Sequence, residues 1–344
     1  MLAPPKIHPS TQYHQILNRM GWSMLIFLVS FNTCTALSTS VLAMREFIES
    51  HFWYQFLTAL YGVLATVCYM LPFFLTGLLY YVMSRKIRTE RVQFEVKLPR
   101  EFPLLIFAGL IILSAAAYVN SLFCSAIGYS IPADLIGAES YDLPSIVIQY
   151  MTVAIAPAFA EEFLFRGVFY TNLRPYGRTQ AVLISSLLFA LMHQNIGQLF
   201  YTFVAGIAMA LMYELTGSIW CSVFFHLFNN QWAIISEVLL YGGYGEASQP
   251  FLSIMDAILF LLGILSIGLL ILYYKRQHAR KTARESDGIW GAHKNAVVRL
   301  DHPLSAGEVL KGALAPGMVV FTAVTVALMG ATWLLLSLMN GGAM

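Results

Sequence analysis

The chain has 344 residues, of which 58% are hydrophobic and only 11% charged, with a formal net charge of +2. Soluble domains carry about 25% charged residues, so a water-soluble globule is excluded and an all-α, polytopic transmembrane helix bundle is expected. The small net charge says little about partners; no nucleic-acid partner is expected, and the lipid bilayer is the expected surrounding.

A helix needs about 20 apolar residues to cross the hydrocarbon core. A polar leader, 1–21, precedes an apolar run longer than a signal-peptide core, so that run is read as the first spanning helix. Spans are expected at Trp22–Met44, Phe56–Val82, Phe102–Ile127, Ser145–Tyr170, Gln180–His193, Gln198–Leu215, Ile219–Leu240, Phe251–Tyr274 and Val319–Met339. That makes about nine, or eight if the short segment ending at His193 does not cross. The chain then divides into the leader 1–21, N-terminal helices 22–142, a central block 143–241 and C-terminal helices 242–344 that enclose a basic segment, 275–312.

Orientation follows from lysine and arginine placement. With a cytoplasmic N-terminus and one crossing per span, 18 of the 20 basic residues fall on the cytoplasmic side. The loop after Ile127 is acidic instead, with Asp134, Glu139 and Asp142. The expected location is a bacterial cell membrane, multi-pass, with the N-terminus inside. The four cysteines, Cys34, Cys68, Cys124 and Cys221, lie in apolar segments without metal-ligand spacing and read as small core residues.

Three polar clusters interrupt the central apolar segments: Glu161-Glu162 with Arg166, Phe189 with His193, and His226 with Asn230. Ionisable residues inside a bilayer are costly and mark function or pairing. Residues four apart share a helix face, so Glu162 and Arg166 can pair within one helix. Glu161 lies about 100° around the helix from Glu162, so the two carboxylates point apart. One faces the reacting centre while Arg166 neutralises the other; Glu161 is assigned to chemistry and Glu162 to the pair. At a rise of ~1.5 Å per residue, Glu161, His193 and His226 lie roughly 20, 22 and 14 Å from the cytoplasmic helix ends. All three levels are inside the bilayer, so the clusters can meet and together hold and activate a water molecule.

The order E-E-x-x-x-R, F-x-x-x-H, H-x-x-x-N resembles the CPBP family of intramembrane proteases, which includes the type II CAAX prenyl proteases and bacterial Abi-type proteins. The stretch YELTGSIWCSVFFHLFNN resembles that family's lead into its third motif. The likeness runs from about Ser145 to Leu240. It implies a glutamate-type endopeptidase acting on a membrane-associated peptide, CAAX-like prenylated or leader. It implies Glu161 as general base on a water, His193 as the group that positions that water, and His226 with Asn230 as oxyanion stabilisers. Glu162 and Arg166 are implied as support. The extra span after Arg284 and the long basic segment depart from the family pattern and bear on the substrate.

Peptide hydrolysis needs an activated water and stabilised negative charge on the carbonyl oxygen. Water must reach the site, so a polar cavity opening towards the cytoplasm is expected. No cofactor is expected. Two histidines and a glutamate would suffice for zinc, but H-E-x-x-H is absent and Arg166 already supplies positive charge. The expected partners are a peptide or protein substrate and the bilayer; the sequence specifies no oligomeric state. Two rival readings are a non-catalytic immunity or scaffolding protein of the same fold and a small-solute transporter with a proton relay. The latter predicts inverted repeats that the sequence does not show.

Overall fold

The structure is a computed structural model that describes residues 8–44, 47–48, 50–85, 87, 92, 94–96, 98–130, 140–243, 245–282 and 304–341. Its helices are α1 (Pro9–Met44), α2 (His51–Met83), α3 (Phe102–Ala126), α4 (Leu143–Tyr176), α5 (Arg178–Met192), α6 (Ile196–Thr216), α7 (Ile219–Tyr241), α8 (Gln249–Thr282), α9 (Ala306–Ala313) and α10 (Pro316–Gly341). Each expected span coincides with a helix. Seven of them, α1, α2, α3, α4, α6, α8 and α10, are long and apolar enough to cross a membrane. The chain is an all-α, multi-pass membrane bundle.

The other two are informative. α5 has only 15 residues, roughly 22 Å of helix. α7 has 23 residues but carries His226, Asn229, Asn230 and Gln231 at its centre, which lowers its apolar character. Both belong to the region that holds the polar clusters. Of the basic segment 275–312, residues 275–282 continue α8 and 306–312 lie in α9, while 283–303 lie outside the described residues.

Apolar side chains such as Val63, Leu261 and Leu335 are largely exposed, as lipid-facing positions require. The core lies where α4 is enclosed by α2, α5, α6 and α7, and Leu164, Phe165, Val168, Phe169 and Tyr170 are fully buried there. Glycines bring helices close at two points. A Cβ on Gly206 of α6 would lie 2.9 Å from the Ser186 backbone of α5. A Cβ on Gly21 of α1 would lie 2.1 Å from the Gly317 backbone of α10, and the Asn18 side chain accepts a 2.7 Å hydrogen bond from the Gly317 N–H there. Close backbone approach of this kind replaces the hydrophobic effect, which lipid does not supply between helices.

The bundle has two distinct ends. At one, Arg174 and Arg178 pair with Glu214, the Trp220 indole donates to the Phe94 carbonyl, and Arg85, Arg100, Lys275 and Arg276 gather. At the other, Tyr129 donates to Asn195 and Tyr141 to Glu237. The first is the basic end and the second the opposite end.

Candidate active site

α4 is not a uniform α-helix. Two π-helical stretches, Tyr150–Ile155 and Phe163–Tyr170, flank the α-helical Ala156–Glu162 that carries the glutamates. π-segments inside helices concentrate at functional sites because they reset which face a side chain occupies. Pro157 has no N–H to offer the Val153 carbonyl four residues back. That carbonyl accepts instead from the Asn230 amide of α7 at 2.8 Å. The Asn230 amide oxygen accepts from Asn229 at 3.1 Å, and Asn229 accepts from the Tyr201 hydroxyl at 3.0 Å. This chain of bonds sets the orientation of both amides.

The two glutamates divide as helical spacing predicts. Glu162 and Arg166 are both fully buried and pair at 2.8 Å. Glu162 also accepts from Ser222 at 2.7 Å and contacts His226 Nδ1 at 3.1 Å. The second guanidinium nitrogen of Arg166 donates to the Gly206 carbonyl at 2.9 Å, which the close approach of α5 and α6 leaves within reach. The guanidinium sits 4.6 Å above the Phe189 ring, a cation–π contact that adds to the pairing in a dry site.

Glu161 is 2% exposed. Its Oε1 accepts from the Tyr69 hydroxyl of α2, while its Oε2 is buried without a hydrogen-bond partner. His226 Nε2 stands 3.8 Å from that oxygen. Spacing alone does not show that His226 touches both carboxylates, one through each ring nitrogen.

His193 ends α5, and its Nδ1 lies 2.8 Å from the Phe189 carbonyl. A carbonyl only accepts, so Nδ1 carries the hydrogen and Nε2 of the neutral ring is an acceptor. The Phe189 ring meets the His193 ring at 5.1 Å and the His226 ring at 6.1 Å, both near perpendicular. Phe189 thus orders both imidazoles. The next residue, Gln194, has φ +52° and is the one non-glycine with positive φ among the described residues. Its side chain accepts from Asn32 of α1 at 3.1 Å. A bulky residue held in this region marks backbone constraint beside a functional group.

Glu161, His193, His226 and Asn230 line one cavity of about 380 Å³, joined by Tyr69, Phe189, Tyr201 and Asn229. All three clusters therefore converge; Glu162 and Arg166 stand directly behind them. Among the described residues, no three His, Cys, Asp or Glu side chains are grouped so as to hold a metal ion.

The direction of the cavity differs from the expected opening towards the cytoplasmic, basic end. On α4 its lining runs from Glu161 back to Thr152, on α6 from Met209 back to Gln198, and on α7 from Phe225 forward to Ala233. Each of these runs points to the opposite end. The physical reason is packing: towards the basic end α4 continues into the fully buried Leu164–Tyr170 core.

Ser222 and Tyr69 are among the site neighbours that the sequence reading does not identify. Ser222 completes a four-residue spacing with His226 and Asn230, a face signal that was there to be read. Tyr69 is one of 18 tyrosines, in an apolar span with nothing local to single it out.

Comparison with known proteins gives two matches. The family model described as type II CAAX prenyl endopeptidase Rce1-like matches residues 143–232. A Bacillus subtilis (strain 168) protein named "Putative membrane peptidase YdiL" is 31% identical over 166 residues, covering 44% of this chain and 67% of that protein. No solved structure matches the chain.

Proposed function

The chain belongs to the CPBP family of intramembrane proteases and is a membrane-embedded hydrolase; from that premise we propose that Glu161 activates a water for cleavage of a peptide bond within the bilayer. The observation that carries this reading is that Glu161, whose buried Oε2 has no hydrogen-bond partner, lines a cavity together with His193 and His226.

In the proposed reaction Tyr69 occupies Oε1 and leaves Oε2 to take a proton from water. His193, its tautomer set by the Phe189 carbonyl, accepts the second water hydrogen at Nε2 and aims the oxygen lone pair at the substrate carbonyl. Attack forms a tetrahedral oxyanion. His226 Nδ1 faces the Glu162 carboxylate and so carries a proton, which means Nε2 donates to the oxyanion only in the imidazolium form. With that form the two carboxylates, Glu161 and Glu162, balance the two cations, Arg166 and imidazolium, so the four groups sum to zero charge in the dry core. The second hydrogen of the Asn230 amide, beyond the one held by Val153, supplies a further oxyanion donor. Collapse of the intermediate breaks the C–N bond as Glu161 returns its proton to the leaving amine. Each oxyanion donor is worth about 10²–10³ in rate.

The substrate is a membrane-associated peptide or protein segment, and the chain sits in a bacterial membrane with its basic end in the cytoplasm. The test compares membrane peptides from cells carrying wild-type chain, Glu161→Gln and His193→Ala. Peptides that accumulate uncleaved in both variants identify substrates. Identical cleavage in all three would falsify the assignment.

A further inference from the structure

We propose that substrate enters this site from the end of the bundle away from the basic segments, and that the scissile bond lies in the extracytoplasmic half of the membrane. The word substrate rests on the protease reading above; the route of entry rests on geometry alone.

Three observations carry it. First, the cavity extends one way only. From Glu161 its α4 lining runs eight or nine residues back to Val153 and Thr152, roughly 12–14 Å of helix. Gln198, in the first turn of α6, and Ala233, past the middle of α7, lie at the same side and are exposed. The lining also changes character along this path. Leu113, Met209 and Phe225 are apolar, whereas Thr152, Gln198, Tyr201, Asn229 and Asn230 give the outer part hydroxyls and amides. Polar lining at a mouth admits water; apolar lining at the floor keeps the chemistry dry.

Second, the basic end is closed. Beyond Glu162, Leu164, Phe165, Arg166, Val168, Phe169 and Tyr170 have no exposed surface. Val92 and Phe94, described residues between α2 and α3, lie over this region. Val92 packs so tightly on Gly167 that a Cβ there would lie 2.8 Å from it, and the Phe94 carbonyl is held by Trp220 at 3.0 Å. Glu214, bound by Arg174 and Arg178, ties α4, α5 and α6 together below.

Third, charge orients the bundle. Apart from buried Arg166, the described lysines and arginines lie at the closed end, and the positive-inside rule places that end in the cytoplasm. The open end then faces the outer leaflet. Its amide and hydroxyl lining offers hydrogen bonds but no fixed charge before Glu161. It therefore suits an uncharged, extended stretch of a membrane-anchored or exported polypeptide.

The test is cysteine accessibility in the full-length chain. Single cysteines at Gln198→Cys and Ala233→Cys are compared with Ser50→Cys, an exposed position before α2 at the open end, and Lys275→Cys at the basic end. The four native cysteines are replaced by alanine; should that chain fail to accumulate, wild-type labelling is subtracted instead. A membrane-impermeant maleimide is applied to intact spheroplasts and to inverted vesicles. Gln198→Cys and Ala233→Cys should label in spheroplasts together with Ser50→Cys, and Lys275→Cys only in inverted vesicles. Labelling of the two lining positions with Lys275→Cys, from both faces or from neither overturns the proposal. An active Glu161→Gln variant would remove the protease reading while leaving the labelling pattern intact, so the two failures are distinct.

Discussion

Two buried carboxylates in this bundle have opposite fates. Glu214, near the basic end, accepts from the Tyr170 hydroxyl, from Arg174 at 2.8 and 3.3 Å, and pairs with Arg178 at 2.9 Å. Both of its oxygens are engaged, and it ties helices together. Glu161 also accepts from a tyrosine, but its second oxygen has no hydrogen-bond partner, and the residue lines a cavity. Burial alone therefore does not distinguish the two carboxylates; the missing hydrogen bond and the cavity beside Glu161 do. Glu162, one residue away, has the opposite surroundings: its carboxylate is held by Arg166, Ser222 and His226.

The largest test of this contrast is Glu161→Gln. It keeps the shape and the Tyr69 contact but removes the base, so cleavage should fall about 10²–10⁴-fold. The thermal midpoint should hold or rise, since the buried Oε2 gives up no hydrogen bond. Next is Arg166→Ala, which leaves Glu162 buried without its cation. Breaking such a pair costs about 3–5 kcal/mol, and the variant should fail to accumulate or melt early in detergent. Glu214→Gln should show the other half of the contrast. Its stability should drop by a smaller amount, about 1–3 kcal/mol, with kcat per folded molecule unchanged; a kcat loss as large as that of Glu161→Gln would erase the distinction.

Tyr69→Phe should be milder. A hydrogen bond to a charged group contributes about 1.5–3 kcal/mol, and here it fixes which carboxylate oxygen is available. A fall in kcat with KM unchanged is expected; a change in KM alone would make Tyr69 a packing residue.

The smallest effect lies outside the membrane. Glu308 completes a capping box with Ser305, and the Ser305 backbone N–H and hydroxyl hold its carboxyl below the usual range. A lowered folded pKa means the stabilisation is present above the unfolded value of about 4.3 and is lost as pH falls through the folded one. Hydrogen-exchange protection of α9 should therefore be full at neutral pH and weaken in acid, with no such change in Glu308→Gln.

Much of this was legible in the chain. Apolar runs located every long helix because a bilayer forces backbone bonds to close within each segment. The i,i+4 rule separated Glu161 from Glu162 because the α-helical stretch Ala156–Glu162 keeps that geometry. What stayed hidden depends on contacts between distant elements. Tyr69 reaches Glu161 across 92 residues of sequence. The direction of the cavity is not legible in the sequence, because depth along each helix says nothing about which side of Glu161 the neighbours fill. Asn230 has a second task, bonding Val153, that becomes visible only with the donor missing at Pro157.

The shortness of α5 has a consequence for the lipid. Its 15 residues span roughly 22 Å against a hydrocarbon thickness of about 30 Å, and Leu183 and Leu187 on it are more than 40% exposed. Acyl chains beside them must compress or tilt to meet the polar turn at Gln194 and Asn195. Thinner hydrocarbon beside α5 is the expected consequence, so the protein shapes its solvent as well as its site.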